Sequence, residues 1–171
     1  MGGSVSFKGS GAVSVREGNK MHKKIKIYMD CCCYNRPYDG QTQSRIRIET
    51  VSKMRIQRDI VEGKYALVTS VVLYHENSRN PNHVAAEHIE SYMDMYGTEY
   101  VDEMEYQHIL GIRDRLQEGG LKMTDAGHVA CAISRGCNYF ITTDDRILRF
   151  KDDRINIINP VDFVLKEGGK E

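Results

Sequence analysis

Lys24-Ile25-Lys26-Ile27-Tyr28-Met29-Asp30 is the stretch that decides the fold. Apolar residues run up to Met29 and stop at a carboxylate, which is how a buried strand with an acid at its C-terminal tip reads. The pattern recurs at Tyr139-Phe140-Ile141-Thr142-Thr143-Asp144, where an apolar run closes on two hydroxyls and an acid. Shorter runs at 65–69 and 155–158 predict two further strands, the second followed by Pro160 and a terminal helix. Helical patterns fill the intervals. Ile46, Ile48, Val51, Met54, Ile56 and Ile60 recur at helical spacing up to Gly63. Ser70 is placed to cap a helix that carries Glu76 on its second turn. Residues 81–95 and 102–117 alternate charged and apolar faces and read as an outer layer. Thr124-Asp125 opens a helix with Ala126, Val129, Ala130 and Ile133 that ends at Gly136. Strands alternating with helices predict an α/β domain, a three-layer α/β/α sandwich with a mainly parallel central sheet.

Length and composition set the outer bounds. At 171 residues and 40% hydrophobic content, the chain suffices for one compact core but not two ordinary domains. Residues 1–20, rich in Gly and Ser, read as a flexible leader or a cloning remnant, with Met21 as the natural start and 21–171 as a single domain. Twenty-four basic residues balance twenty-four acidic ones, which excludes a strongly basic nucleic-acid-binding domain but not a local basic patch beside an acidic pocket. The five cysteines are odd in number and lack the CxxC spacing of structural zinc, so a reduced, cytoplasmic protein is expected. No apolar stretch approaches the roughly 20 residues needed to cross a bilayer, and no membrane association is expected.

The acids carry the chemistry. In open parallel sheets, ligands bind beyond the carboxyl ends of the strands, where loops converge and helix N-termini point inward. Asp30 and Asp144 occupy such ends, and Glu76 and Asp125 lie on helices that flank the same edge. Each alone reads as a turn, cap or helix-dipole residue; the joint pattern is what points to a site. Two carboxylates about 5 Å apart repel by roughly 3 kcal/mol at an effective dielectric near 20. A divalent cation removes that cost. All-oxygen donors favour Mg2+ or Mn2+ over zinc, and such an ion activates water against a phosphodiester.

Four segments then fall into the order of a known family. Ile27-Tyr28-Met29-Asp30-Cys31-Cys32, Val68 to Glu76, Thr124-Asp125-Ala126-Gly127-His128-Val129-Ala130 and Tyr139 to Asp145 together resemble PIN-domain nucleases, and among them the small VapC-type toxins. The resemblance runs from about residue 24 to about 165. It implies that Asp30, Glu76, Asp125 and Asp144 are metal-binding acids, and that Thr142 holds a carboxylate or the attacking water. It also implies an endoribonuclease acting on RNA, a homodimer, and a cognate antitoxin partner. Two other readings remain: a catalytically silent PIN-like module that grips RNA or a partner protein, and an RNA-processing nuclease outside toxin biology.

The departures from the family pattern are Cys31-Cys32-Cys33 and the turn Asn35-Arg36-Pro37-Tyr38-Asp39. Three consecutive cysteines, pointing to alternating sides, read as small buried fillers. Asn35 and Arg36 read either as phosphate contacts at the pocket mouth or as plain turn residues. His128, one turn after Asp125, reads as a helix-packing histidine ahead of a ligand or general base, and Glu49 as solvated helix surface ahead of a support behind the site. A haloacid-type phosphohydrolase needs a second Asp at position 32, where this chain has Cys32, and a dinucleotide-binding domain needs glycines where it has cysteines.

Overall fold

A computed structural model describes residues 23–169; the proposed leader, residues 1–20, and Met21 lie outside the described residues. The chain runs β1 (Ile25–Met29), α1 (Cys31–Asn35), a single 3-10 turn (Arg36–Tyr38), α2 (Ser44–Val61), β2 (Tyr65–Ser70), α3 (Val71–Asn77), α4 (His83–Tyr96), β3 (Gly97–Val101), α5 (Glu103–His108), α6 (Leu110–Glu118), α7 (Met123–Ser134), β4 (Tyr139–Ile141), α8 (Asp145–Arg149), β5 (Asn156–Ile158) and α9 (Pro160–Glu167). The strands form one sheet in the order β3-β2-β1-β4-β5, and every pairing in it is parallel. Outside it, among the described residues, stands one isolated antiparallel bridge, Asp152 with Ile155.

Strand alternation sorts the core onto two faces. Tyr28 stacks on Phe140 at 5.5 Å, on the face covered by α7 and its neighbour α6. Tyr65 and Tyr139 point the other way and meet Phe163 of α9 edge-on at 5.2 and 5.1 Å, where α9 packs on α2. Burying a side chain such as Phe163 contributes on the order of 1.5–3 kcal/mol. These are the three layers that the alternating pattern predicts. Gly63 and Gly136 end α2 and α7 in the left-handed region, at φ +78 and +63, where a Cβ is unfavourable.

Register places the site. Tyr28 pairs with Val68 and Met29 with Ile141, so β1, β2 and β4 end nearly flush, and their next residues emerge together. The winding reverses at β1: β2 and β3 lie on one side, β4 and β5 on the other. Asp30 sits at that switch point, beside Thr142.

Three local expectations change. Cys31–Asn35 is helical rather than extended, because Asp30 caps it: its Oδ1 accepts from the Cys31 amide at 2.7 Å. Gly97–Val101 is an unanticipated edge strand; its exposed residues and lone buried Val101 leave no alternating signal. The expected helix over 102–117 breaks at Ile109, whose φ of −105° and ψ of 9° are not helical.

Candidate metal centre

Asp30 is buried to 6% exposure, and three donors surround its carboxylate. Oδ1 accepts from the Cys31 amide; Oδ2 accepts from Thr142 Oγ1 at 2.8 Å and from the Cys32 thiol at 3.2 Å. Thr142 Oγ1 in turn accepts from the Asp144 amide at 3.1 Å, so one hydroxyl ties the end of β1 to the loop after β4. The cysteines therefore divide. Cys31 and Cys33 are buried fillers, as expected, whereas Cys32 lies against the Asp30 carboxylate and also contacts the Thr142 hydroxyl at 3.3 Å.

Glu76 reaches this edge from the second turn of α3, positioned by the Ser70 cap, whose Oγ accepts from the Leu73 amide. Its Oε2 lies 2.5 Å from Nε2 of His128. One candidate ligand atom each from Asp30, Glu76 and His128 falls within 4.8 Å of the others. His128 is buried, as a helix-packing histidine would be, but it is also aimed at Glu76, with its other nitrogen 2.8 Å from the Tyr28 hydroxyl. The signal was available: Asp125 and His128 are three apart on α7 and share a face.

Asp125 lies in the first turn of α7 and lines the same cleft. Asp144 caps α8 and is held by Arg146, whose Nη2 donates to its Oδ2 at 2.6 Å. The fold thus brings Asp30 and Glu76 to one point, sets Asp125 beside them, and leaves Asp144 engaged with an arginine.

Electrostatics follow this geometry. Asp125 has a raised pKa, first because burial disfavours its charge and then because Asp30 and Asp144 are negative nearby. Glu76 is held below the usual carboxylate range by its hydrogen bond with His128. For His128, burial disfavours the cation, but the bond to Glu76 and the charges of Asp30, Glu76 and Asp125 outweigh it, and the pKa rises. Asp144 is lowered by the hydrogen bond from Arg146.

A cleft of about 970 Å³ is lined by Glu76 and Asp125. Arg79, Lys122 and Arg146 bring positive charge to its wall, and Tyr38 and Tyr106 bring aromatic faces. Asn35 also lines it, but its side chain is committed: Nδ2 donates to the Cys31 carbonyl, and Oδ1 accepts from Asn80. The Arg36 guanidinium is held by Asp39 at 2.7 Å and Glu49 at 2.6 Å. Glu49, expected on the solvated surface, is 2% exposed and accepts from Arg36, Arg45 and Asn159. Burial is tolerable there because three donors, two of them cationic, meet its two oxygens.

Among solved structures, a similar chain arrangement occurs in the crystal structure of VapBC2 from Rickettsia felis bound to a DNA fragment from their promoter, with TM-score 0.48 and 14% sequence identity over 79% of this chain and 98% of that one. No curated protein matches the sequence. The family model described as PIN domain matches residues 49–153, a span that contains Glu76, Asp125, His128, Thr142 and Asp144 but begins after Asp30. With more than half of its length in that match and with a five-stranded all-parallel sheet, the chain belongs to the PIN domain family.

Proposed function

We propose that this protein is a divalent-metal-dependent endoribonuclease that hydrolyses RNA phosphodiester bonds, with Asp30, Glu76, Asp125 and Asp144 holding Mg2+ or Mn2+. The observation that supports it is the meeting of Asp30 and Glu76 at the C-terminal edge of the sheet, with His128 beside them and Asp125 raised by burial and then by its acidic neighbours. The donor set fits. Carboxylate oxygens suit hard cations, and an acid pushed up by like charges is what a cation relieves. A bound ion of this kind supplies an acidified water and neutralises charge on the phosphate.

The remaining roles belong to the chain itself. Three donors fix Asp30, so its carboxylate is oriented before any ligand arrives. Thr142 couples that orientation to the Asp144 loop. Arg79 and Lys122 contact phosphates along the cleft, while Tyr38 and Tyr106 stack on unpaired bases. Arg36 does not serve in this way, since two carboxylates hold its guanidinium. The order of the four sequence motifs extends the reading to a VapC-type toxin that forms a homodimer and is silenced by an antitoxin. Among the described residues, no helix is long and apolar enough to cross a membrane.

The test is cleavage of RNA with Mn2+ or Mg2+, stopped by EDTA and reduced at least about 100-fold in Asp30→Asn and Asp125→Asn. Wild-type rates in both variants would remove the assignment, and RNA bound but left intact would indicate a silent module. Growth arrest on expression of the wild type but not of Asp30→Asn tests the toxin reading.

A further inference from the structure

The geometry points to a role for three buried residues that the cation site itself does not require: Ser70, Tyr28 and His128 form a hydrogen-bond line that fixes the Glu76 carboxylate, which makes His128 a positioning residue and not a ligand. This rests on the metal reading above and deepens it.

The line has four links. The Leu73 amide donates to Ser70 Oγ, Ser70 Oγ lies 2.6 Å from the Tyr28 hydroxyl, that hydroxyl lies 2.8 Å from His128 Nδ1, and His128 Nε2 lies 2.5 Å from Glu76 Oε2. A carboxylate only accepts, so Nε2 carries the hydrogen and has no lone pair for a cation. With Nε2 donating, every hydrogen finds a place: Ser70 donates to Tyr28, Tyr28 to Nδ1, and His128 to Glu76. Donors aligned head to tail polarise one another in a dry interior.

Placement argues for purpose. The line begins at the cap of α3 and ends on a side chain of that helix, passing through β1 and α7. It therefore ties Glu76 to the sheet from which Asp30 emerges. Ser70, Tyr28 and His128 are essentially inaccessible, while the Glu76 side chain is 43% exposed. A glutamate that open would otherwise sample several rotamers. Its bond from His128 is its sole hydrogen bond to protein among the described residues, and it leaves Oε1 free for a cation. The tyrosine is itself immobile, stacked on Phe140 and edge-on to His128 at 5.9 Å. Filling space at position 128 needs only an apolar side chain; a histidine bonded at both nitrogens does more. Histidine–carboxylate pairs behind metal ligands are a general means of fixing ligand orientation.

The experiment measures Mn2+ affinity by isothermal titration on the full chain, with folding of each variant checked by far-ultraviolet circular dichroism. His128→Leu removes the donor and weakens binding by about 10- to 100-fold. Tyr28→Phe keeps the ring and its stack but cuts the line, and weakens binding by about 10-fold. His128→Gln, whose amide nitrogen reaches the place of Nε2 but leaves the Tyr28 hydroxyl without its acceptor, binds about as well as Tyr28→Phe and more tightly than His128→Leu. Wild-type affinity in Tyr28→Phe would overturn the proposal. So would a His128→Gln protein as weak as His128→Leu, since that is how a lost ligand behaves. A second readout needs no metal: in the wild type, the His128 Nε2 hydrogen gives a slowly exchanging imidazole NMR signal, and Glu76→Ala and Tyr28→Phe each accelerate its exchange. Should the wild type bind no Mn2+, the metal reading falls, and this signal still decides the line; an exchange rate unaffected by both variants would end it.

Discussion

Glu49→Gln tests the network that stands behind the site. The wild-type carboxylate is 2% exposed; Oε2 accepts from Arg36 Nε at 2.6 Å, and Oε1 from Arg45 Nε and Asn159 Nδ2, both at 2.9 Å. Arg45 carries the connection on, donating to the Thr143 carbonyl and to both oxygens of Asp145. One carboxylate thus joins the 3-10 turn, α2, the loop before α8 and the cap of α9. Glutamine keeps the shape and one acceptor but sets an amide N–H against an arginine N–H. Breaking a buried pair costs about 3–5 kcal/mol. Because glutamine keeps part of the bonding and Arg45 is half exposed, about 3 kcal/mol is expected. In a domain of this size that lowers Tm by roughly 6–12 °C.

The assay is equilibrium unfolding in urea, followed by circular dichroism at pH 7 and again in acid. The pKa of Glu49 is lowered in the folded protein; although burial opposes its charge, the bonds from Arg45, Asn159 and Arg36 prevail. Its contribution is therefore complete above the unfolded-state carboxylate pKa and lost as pH falls through the lower folded value. The gap between wild type and Glu49→Gln must narrow as pH drops across that window. A difference below about 0.5 kcal/mol at pH 7, or one that does not shrink in acid, would refute the reasoning, because an exposed carboxylate behaves that way.

Other measurements bear on separate parts of the molecule. Lys53 is buried, with its pKa depressed to about 8 by desolvation, so charging it costs the fold about 3 kcal/mol at neutral pH. Lys53→Met raises stability in urea unfolding by up to that amount, and the gain fades as pH rises from about 8 towards the unfolded lysine value near 10.5. Lys122→Ala, measured by fluorescence anisotropy in an Asp30→Asn background, weakens RNA binding similarly for all sequences and lowers the salt slope by about 0.7, as loss of one phosphate contact to a single strand requires. Arg146→Ala removes a cation that competes for Asp144, so Mn2+ binds more tightly by calorimetry, though by no more than about fivefold because the pair is surface-exposed; weaker Mn2+ binding would contradict this.

What the sequence made legible depended on how local each signal was. Asp30 and Asp144 could be found because each follows an apolar run, and strand ends in a parallel sheet share an edge. Ser70 was readable as a cap from its place before Val71-Val72-Leu73, and Glu76 followed at helical distance. β3 was not, since an edge strand with one buried residue lacks the alternation that betrays a strand. Glu49 was misplaced for a different reason. Its partners Arg36 and Asn159 lie 13 and 110 positions away, and no periodicity within α2 announces a buried charge. Cys32 carries no such signal, because three consecutive cysteines read as an extended run, whereas the cap at Asp30 turns them into a helix and brings the thiol back over the carboxylate that caps it.

The four acids differ in how they are held, and this bears on the order in which the site is completed. Asp30 and Glu76 are restrained from inside by buried groups: the Thr142 hydroxyl, the Cys31 amide and the His128 imidazole. Their geometry is therefore fixed before a ligand arrives, and little conformational entropy remains to be lost. Asp144 is restrained from outside by the half-exposed Arg146, a partner weak enough to exchange for a stronger charge. Asp125, whose carboxylate makes no hydrogen bond among the described residues and whose pKa is raised by burial and its neighbours, has the most to gain from a cation. On the metal reading proposed above, an inner pair that orients, one acid that is relieved, and an outer acid that must first release an arginine make binding strength a property of β1 and α3. Completion of the ligand set is then a property of the loop after β4, where Thr142 keeps the two halves in register.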